Sequence, residues 1–362
     1  MTENTIRKIK NTHKPAVFRQ KMLDWYVKHR RVLPWRALPN EVADPYRVWL
    51  SEIMLQQTTV QAVVPYFLKF TEKWPNVHAL AKADNDEVMS NWAGLGYYAR
   101  ARNLHKCAKF VSEELNGAFP SEQAELLKLA GIGDYTSAAI RSIAFDKPAC
   151  VVDGNVERVM ARYHAVKTPV PAGKKELKVL ANIYSDGFKN SPSDYAQSLM
   201  DLGATICTPK SPACSLCPLN EKCTAYAEGQ GDRYPIRSQK KARPHKHGYV
   251  YWIENEAEEV LIEKRPDKGL LGGMYGLPTS DWLENQTDIK HLAPFDTMLL
   301  TSTNHHIEHV FTHFSLQLSL FTSKTVAHNF KTKEQAIWLN KSEVKDIGLP
   351  TLFKKALAFY MT

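Results

Sequence analysis

The chain has 362 residues, 44% hydrophobic and 23% charged, with a formal net charge of +9 and a pI near 9.1. That composition excludes a disordered or fibrous chain and is enough for about two domains with cores of their own. No run approaches the roughly 18 apolar residues of a membrane span, and the start, MTENTIRKIK, lacks the apolar core of a secretion signal. A soluble cytoplasmic protein with no membrane partner is therefore expected. The basic balance favours a polyanionic partner, although solubility alone accounts for a charge of this size equally well.

In chain order, Phe18, Met22, Trp25, Tyr26 and His29 recur at helical spacing. Asp44 and Pro45 form a cap and first-turn pair that opens a helix through Val48, Ile53 and Leu55. On that helix Glu52 shares a face with Val48 and Leu55. A carboxylate on an apolar face is costly to ionise, so its pKa should rise, which suits a general acid. A buried glutamate paired with an arginine would leave the same pattern.

The segment LAGIGDYT at 129–136 lies between an apolar helix ending near Leu127 and another beginning near Thr136. Gly131 and Gly133 permit a tight helix-to-helix turn, and its freed N–H groups, with the next helix's N-terminus, can bind a phosphate. A capped acid follows: Asp153 in VVDGNV leads into a helix through Val159, Met160 and Tyr163. Capping that helix would be a sufficient reason for Asp153 by itself.

Cys207, Cys214, Cys217 and Cys223 are too dense, in a chain with nothing secretory about it, to be read as disulfides. Structural zinc usually takes two short pairs separated by a longer finger, and only Cys214 and Cys217 make such a pair. A compact run of four thiolates fits an iron-sulfur cluster better, with zinc the alternative. Pro209, Pro212 and Pro218 forbid a continuous helix through the ligands. Cys107 and Cys150, in apolar surroundings, read as core residues.

Three regions follow: 1–228, mostly α; 229–247, an extended basic linker with Arg237, Lys240, Lys241, Arg243 and Lys246 able to lie along phosphates; and 248–362, mixed α and β. In the last, Tyr249 to Ile253, Val260 to Ile262 and Phe314 to Phe321 read as strands and Leu352 to Tyr360 as a helix.

LPWR at 33–36, SEIMLQQT at 51–58, GLGYYARARNL at 94–104, the hairpin, VDGNVERV at 152–159, MDLGATIC at 200–207 and the cysteine spacing occur in this order. Together they resemble the helix-hairpin-helix DNA glycosylases that carry an iron-sulfur cluster, most specifically the MutY-type adenine DNA glycosylases, from about Leu33 to the end of the chain.

The resemblance implies a helical glycosylase domain with a [4Fe-4S] cluster on the four cysteines and a Nudix-like α+β domain. It implies an expected monomer, nucleoid-associated in a bacterium, acting on double-stranded DNA with A opposite 8-oxoguanine or G. The target adenine would be flipped into a pocket. Glu52 would protonate it at N7, and Asp153 would stabilise the oxocarbenium-like sugar. Asn155 would orient Asp153 and the sugar. Arg31, Trp35, Arg36, Leu55 and Gln197 would line the adenine pocket; Gln57, Thr58 and Tyr97 would fill or wedge the duplex, with Gln56 beside them. Gly131, Gly133 and Arg158 would meet DNA. Phe311, Thr312 and His313 would recognise 8-oxoguanine.

The rival within the fold is an endonuclease III-like glycosylase and lyase, which attacks the sugar with a hairpin lysine. Tyr135 stands at that position, and a phenol forms no Schiff base. The segment RPDKGLLGGMYGLP at 265–278 resembles the opening of a Nudix hydrolase, but too few acids follow at helical spacing to hold a metal. A reader domain is expected there instead. A non-catalytic DNA-binding protein would need Glu52 or Asp153 replaced. Thr312 stands where many relatives have serine. Glu157 stands where some have a basic residue, which leaves Arg158 as the expected phosphate contact. The four extra residues relative to some relatives between Arg36 and Asp44 should form a surface loop.

Overall fold

The computed structural model describes residues 3–239, 242–286, 300–325 and 336–361. The chain divides into two compact units, Met1–Ala81 with Lys106–Gln239 and Lys82–His105 with Lys240–Thr362. Among the described residues no helix is long and apolar enough to cross a membrane.

The first unit is helical. Phe18, Met22, Trp25 and Tyr26 of the Pro15–His29 helix pack with Val156, Val159, Met160 and Tyr163 of the Gly154–Tyr163 helix. Leu177, Leu180 and Tyr184, and Tyr195, Leu199 and Leu202, complete that core from two further helices, Lys174–Ser185 and Pro192–Thr205. Asp44 caps the Pro45–Leu55 helix, its side chain accepting from the Tyr46 N–H at 2.9 Å. The hairpin's first helix is one short turn, Gln123–Leu126, and its second is Asp134–Phe145. Between them Gly131 takes φ +78°, which a side chain would strain.

The linker expected at 229–247 is shorter in the structure. Tyr234 is buried and Ile236 packs against the helical core, while Val170 exchanges backbone hydrogen bonds with Ile236 and Ser238. Strand β1 begins at His245. The apolar Tyr234 and Ile236 tie down what the basic residues alone suggest is free.

The second unit is built on a mixed sheet of β1 (His245–Asn255), β2 (Glu259–Lys264), β3 (Tyr275–Gly276), β4 (Thr301–Val310), β5 (Ser315–Thr325) and β6 (Ala336–Asn340). The order is β3-β2-β1-β5-β4, with β6 also on β2 and β1 parallel to β5. Tyr251, Ile253 and Leu261 form a core cluster there, and the Thr351–Tyr360 helix buries Leu352 and Phe353. Residues 82–105 fold into this unit through polar ties: Asp86 accepts from Lys264 Nζ and from the Tyr275 hydroxyl, and the Arg102 guanidinium donates to the Gly272 carbonyl. Nothing in the local pattern of 82–105 announces this, because its partners lie about 170 residues away.

Candidate active site

An open cleft of about 990 Å³ in the helical unit is lined by Glu52, Tyr135, Asp153 and Asn155 together with Arg31, Trp35, Arg36, Leu55, Gln56, Gln57, Thr58, Gly133 and Gln197. Residues separated by more than a hundred positions thus share one wall, because the Pro45–Leu55 and Asp134–Phe145 helices pack side by side and Asp153 opens the next helix.

Glu52 is 4% exposed, and its Oε2 has no hydrogen-bond partner among the described residues. Burial lifts its carboxyl from 4.5 to about 7; a hydrogen bond from Tyr135 works the other way, and the Asp153 charge adds to the rise. The Tyr135 phenol, pushed well above its ordinary value by burial and by the two carboxylates, stays protonated and donates. Near neutral pH, Glu52 is therefore an acid with a proton to give.

Asp153 both caps its helix and faces the cleft. Its Oδ1 accepts from the Val156 N–H at 2.7 Å, and its Oδ2 accepts from the Asn155 amide at 2.8 Å. Burial raises its carboxyl while these donors pull it down. Asn155 is in turn held by Arg158, whose Nη2 donates to Asn155 Oδ1 at 2.9 Å. Gly203 makes room for this loop, since a Cβ there would lie 2.5 Å from the Asn155 Cβ.

Arg158 is placed differently from expectation. It is 8% exposed, and its guanidinium is taken up by the Cys207 and Gly203 carbonyls at 2.7 and 2.5 Å. It braces the acid loop from inside instead of facing solvent as a phosphate contact. Glu157 pairs with Lys174 at 3.0 Å.

Asp201, missed in the sequence, holds two of the residues that line the cleft, Arg31 and Arg36. It is fully buried and accepts from Arg36 through both oxygens, at 2.7 and 2.8 Å, and from Arg31 Nε. Burial opposes its charge, yet the two guanidiniums hold its carboxyl below the ordinary range. The available signal was an acid in the otherwise apolar MDLGATIC stretch with LPWR elsewhere in the chain. Trp35, 7% exposed, sits edge-on to Phe67 at 5.3 Å and still reaches the cleft. Gln197 donates to Ser193 Oγ at 3.1 Å, and Gln56 to Thr136 Oγ1 at 3.2 Å. Gln57 takes φ +57°. Gly131 lies in the hairpin turn and does not line the cleft.

Cys207, Cys214, Cys217 and Cys223 line one small cavity with Arg162. Short 3-10 turns, Cys214–Leu216 and Asn220–Lys222, replace a helix between them. Arg162, 2% exposed, donates to Cys207 Sγ at 3.3 Å and to the carbonyls of Thr208, Pro209 and Tyr234. Among the described residues no three His, Cys, Asp or Glu side chains stand close enough to share a single ion. Four thiols around one cavity with a buried cation suit a group larger than one ion.

In the second unit, Phe311 and Phe314 flank Thr312 and His313 at the β4–β5 turn, closed by the Phe311 N–H to the Phe314 carbonyl at 2.9 Å. Tyr97, 41% exposed and at φ +50°, belongs to the same unit.

A helical unit with a glycine hairpin and two carboxylates on one cleft defines the class, the helix-hairpin-helix base-excision glycosylases. Residues 50–183 match the HhH-GPD superfamily of base excision DNA repair proteins, and residues 249–359 match the NUDIX domain. The chain is 35% identical to the adenine DNA glycosylase of Buchnera aphidicola subsp. Schizaphis graminum, over 95% of this chain and 99% of that one. It is 33% identical to that of Mus musculus, over 95% and 78%. A solved thermostable thymine-DNA glycosylase superposes with a TM-score of 0.53 at 29% identity, covering 60% of this chain and 99% of its own. The chain belongs to the adenine DNA glycosylase family of enzymes.

Proposed function

We propose that the protein is a monofunctional glycosylase that releases adenine opposite 8-oxoguanine or guanine in double-stranded DNA. The observation that carries this is Glu52, a carboxylic acid buried on the cleft wall and lifted to about 7 beside a second carboxyl, Asp153, where hydrogen bonds from Val156 and Asn155 oppose the rise that burial causes. A buried carboxyl with an unbonded oxygen suits the acid, and a carboxyl that accepts two hydrogen bonds suits the anion.

A nucleotide flipped from the duplex enters the cleft, whose size suits a base with its sugar. Glu52 gives its proton to adenine N7, the glycosidic bond breaks with its electron pair leaving on the base, and Asp153 stabilises the cationic sugar until water adds. Tyr135 steadies Glu52 and Asn155 steadies Asp153. Trp35, Arg36 and Gln197 enclose the base. Tyr135 supplies no amine for Schiff-base chemistry.

The four cysteines would hold a [4Fe-4S] cluster that would shape their loop, with Arg162 offsetting the thiolate charge. Thr312 and His313 at the β4–β5 turn read the base opposite adenine, and Gln57, Thr58 and Tyr97 fill the duplex.

The test is single-turnover release of adenine opposite 8-oxoguanine. Glu52→Gln should slow it by about 10² or more, with strand cleavage only after alkali. Near-normal release by a folded Glu52→Gln protein, or borohydride trapping at a lysine, overturns the reading.

A further inference from the structure

At the turn that carries Thr312 and His313 the Phe311 N–H donates to the Phe314 carbonyl, and the Thr312 hydroxyl meets that of Tyr97 at 2.7 Å. What holds its flanks is aromatic. Phe311 and Phe314 lie against each other with centroids 4.9 Å apart, and both lie against Trp282, at 5.9 Å nearly parallel and at 6.4 Å tilted. Centroid separations in this range are those of productive aromatic pairs.

Trp282 is fixed from other sides as well. The Arg265 guanidinium lies 5.2 Å from its ring centroid. The next residue, Leu283, exchanges backbone hydrogen bonds with His247 on β1, at 2.8 and 3.0 Å. Gly248 leaves the slot in which the indole sits, since a Cβ there would lie 2.7 Å from Trp282 Cδ1. The indole Nε1 is buried without a hydrogen-bond partner among the described residues, so ring contacts, not a polar anchor, hold the side chain. Lys246 adds a cation over Phe314 at 5.1 Å.

We propose that Trp282 is a positioning residue for base selectivity: a platform, set in the Gly248 slot and faced by Arg265, on which Phe311 and Phe314 hold the Thr312 hydroxyl and the His313 imidazole at a fixed height. The proposal rests on the reading of Thr312 as the group that recognises the base opposite adenine. Removing the platform lets the turn settle onto the sheet, so the hydroxyl no longer meets the oxidised base at hydrogen-bond distance. The cleft around Glu52 lies in the other unit and keeps its chemistry.

The experiment uses the full-length protein and two duplexes, with A opposite 8-oxoguanine and A opposite guanine, measured in single turnover at subsaturating enzyme. Selectivity is the ratio of the two rates. Trp282→Leu should lower the ratio about fivefold, the scale of an aromatic contact, with the A opposite guanine rate unchanged; Trp282→Phe, which keeps a ring, should retain most of it. In a Thr312→Ala background, Trp282→Leu should have no further effect, because the group it positions is gone.

A normal ratio in Trp282→Leu alongside a lowered one in Thr312→Ala overturns the platform and leaves the reading of Thr312 intact. A loss of both rates together also overturns it, since the residue would then be structural only. An unchanged ratio in Thr312→Ala removes the reading itself, and the platform with it.

Discussion

The hydroxyls of Tyr97 and Thr312 meet at 2.7 Å across 215 residues of sequence. Both belong to the unit that combines Lys82–His105 with the C-terminal sheet. The residue proposed to wedge the duplex and the residue proposed to read the opposite base are therefore joined by one hydrogen bond. Tyr97→Phe should lower the preference for 8-oxoguanine over guanine by severalfold, as expected for a bond worth about 1 kcal/mol. Thr312→Ser, which keeps the hydroxyl, should retain it. Single-turnover rates on the two duplexes check both.

Glu52 should cost the fold stability at the pH where the enzyme works. Its carboxyl titrates near 7 when folded against an ordinary 4.5. Below pH 4.5 both states hold the proton; as pH rises from there to 7 only the unfolded chain gives it up, so stability is lost across that window and stays lost above it. At about 1.4 kcal/mol per pH unit the loss is on the order of 3 kcal/mol. Glu52→Gln should therefore raise the unfolding midpoint of the helical unit by roughly 6–12 °C at pH 8, and the gain should shrink towards pH 5. In the wild type, adenine release should fall as pH rises through about 7, the pH at which Glu52 loses its proton. A release rate that stays flat from pH 6 to 9 would contradict the acid role.

The two duties of Asp153 separate by substitution. Asparagine can still accept from the Val156 N–H, so Asp153→Asn should keep near-normal stability while base release falls by about two orders of magnitude through loss of charge. Asp153→Ala should lose the cap too, at about 1 kcal/mol. Thermal unfolding beside single-turnover kinetics distinguishes them, and equal, mild kinetic effects in both would leave Asp153 as a cap alone.

Asp201→Asn should be among the most destabilising single changes in the helical unit. It leaves Arg36, a nearly buried guanidinium, short of its counter-charge, a situation that costs about 3–5 kcal/mol. The paired change Arg36→Met with Asp201→Leu should recover much of the stability without recovering adenine release. Urea unfolding of the three proteins is the check.

If the four cysteines hold the proposed cluster, replacing one of them, as in Cys217→Ser, should lower bound iron and sulfide and weaken duplex binding before it slows base release in saturating enzyme. Arg162 ties the loop through Cys207 and three carbonyls, so Arg162→Leu should loosen the same loop with all four thiols present. Metal analysis with a binding titration reads both effects.

Much of the site was legible because it rests on local chemistry. Cap residues, glycine turns and acids on apolar faces are set by a few neighbouring residues, so Asp44, Glu52, Asp153 and the hairpin could be placed from spacing alone. The four cysteines could likewise be grouped from their density, and they line one cavity. The swap of residues 82–105 into the second unit was not legible, nor was the inward turn of Arg158, nor the docking of Tyr234 and Ile236 that shortens the linker. Each depends on partners far away in the chain, and a charged side chain looks the same in sequence whether it will meet a phosphate or a buried carbonyl.

The sequence by itself thus determined the chemistry available: a helical unit, a mixed α and β unit, two carboxyls, the Tyr135 phenol and four thiols. Tertiary structure alone decided how that chemistry is tuned. Burial lifted both carboxyls and hydrogen bonds restrained that of Asp153, Asp201 gathered Arg31 and Arg36, and Trp282 came to lie against a turn about thirty residues away. Desolvation and long-range contact are properties of packing, and no spacing along the chain encodes them.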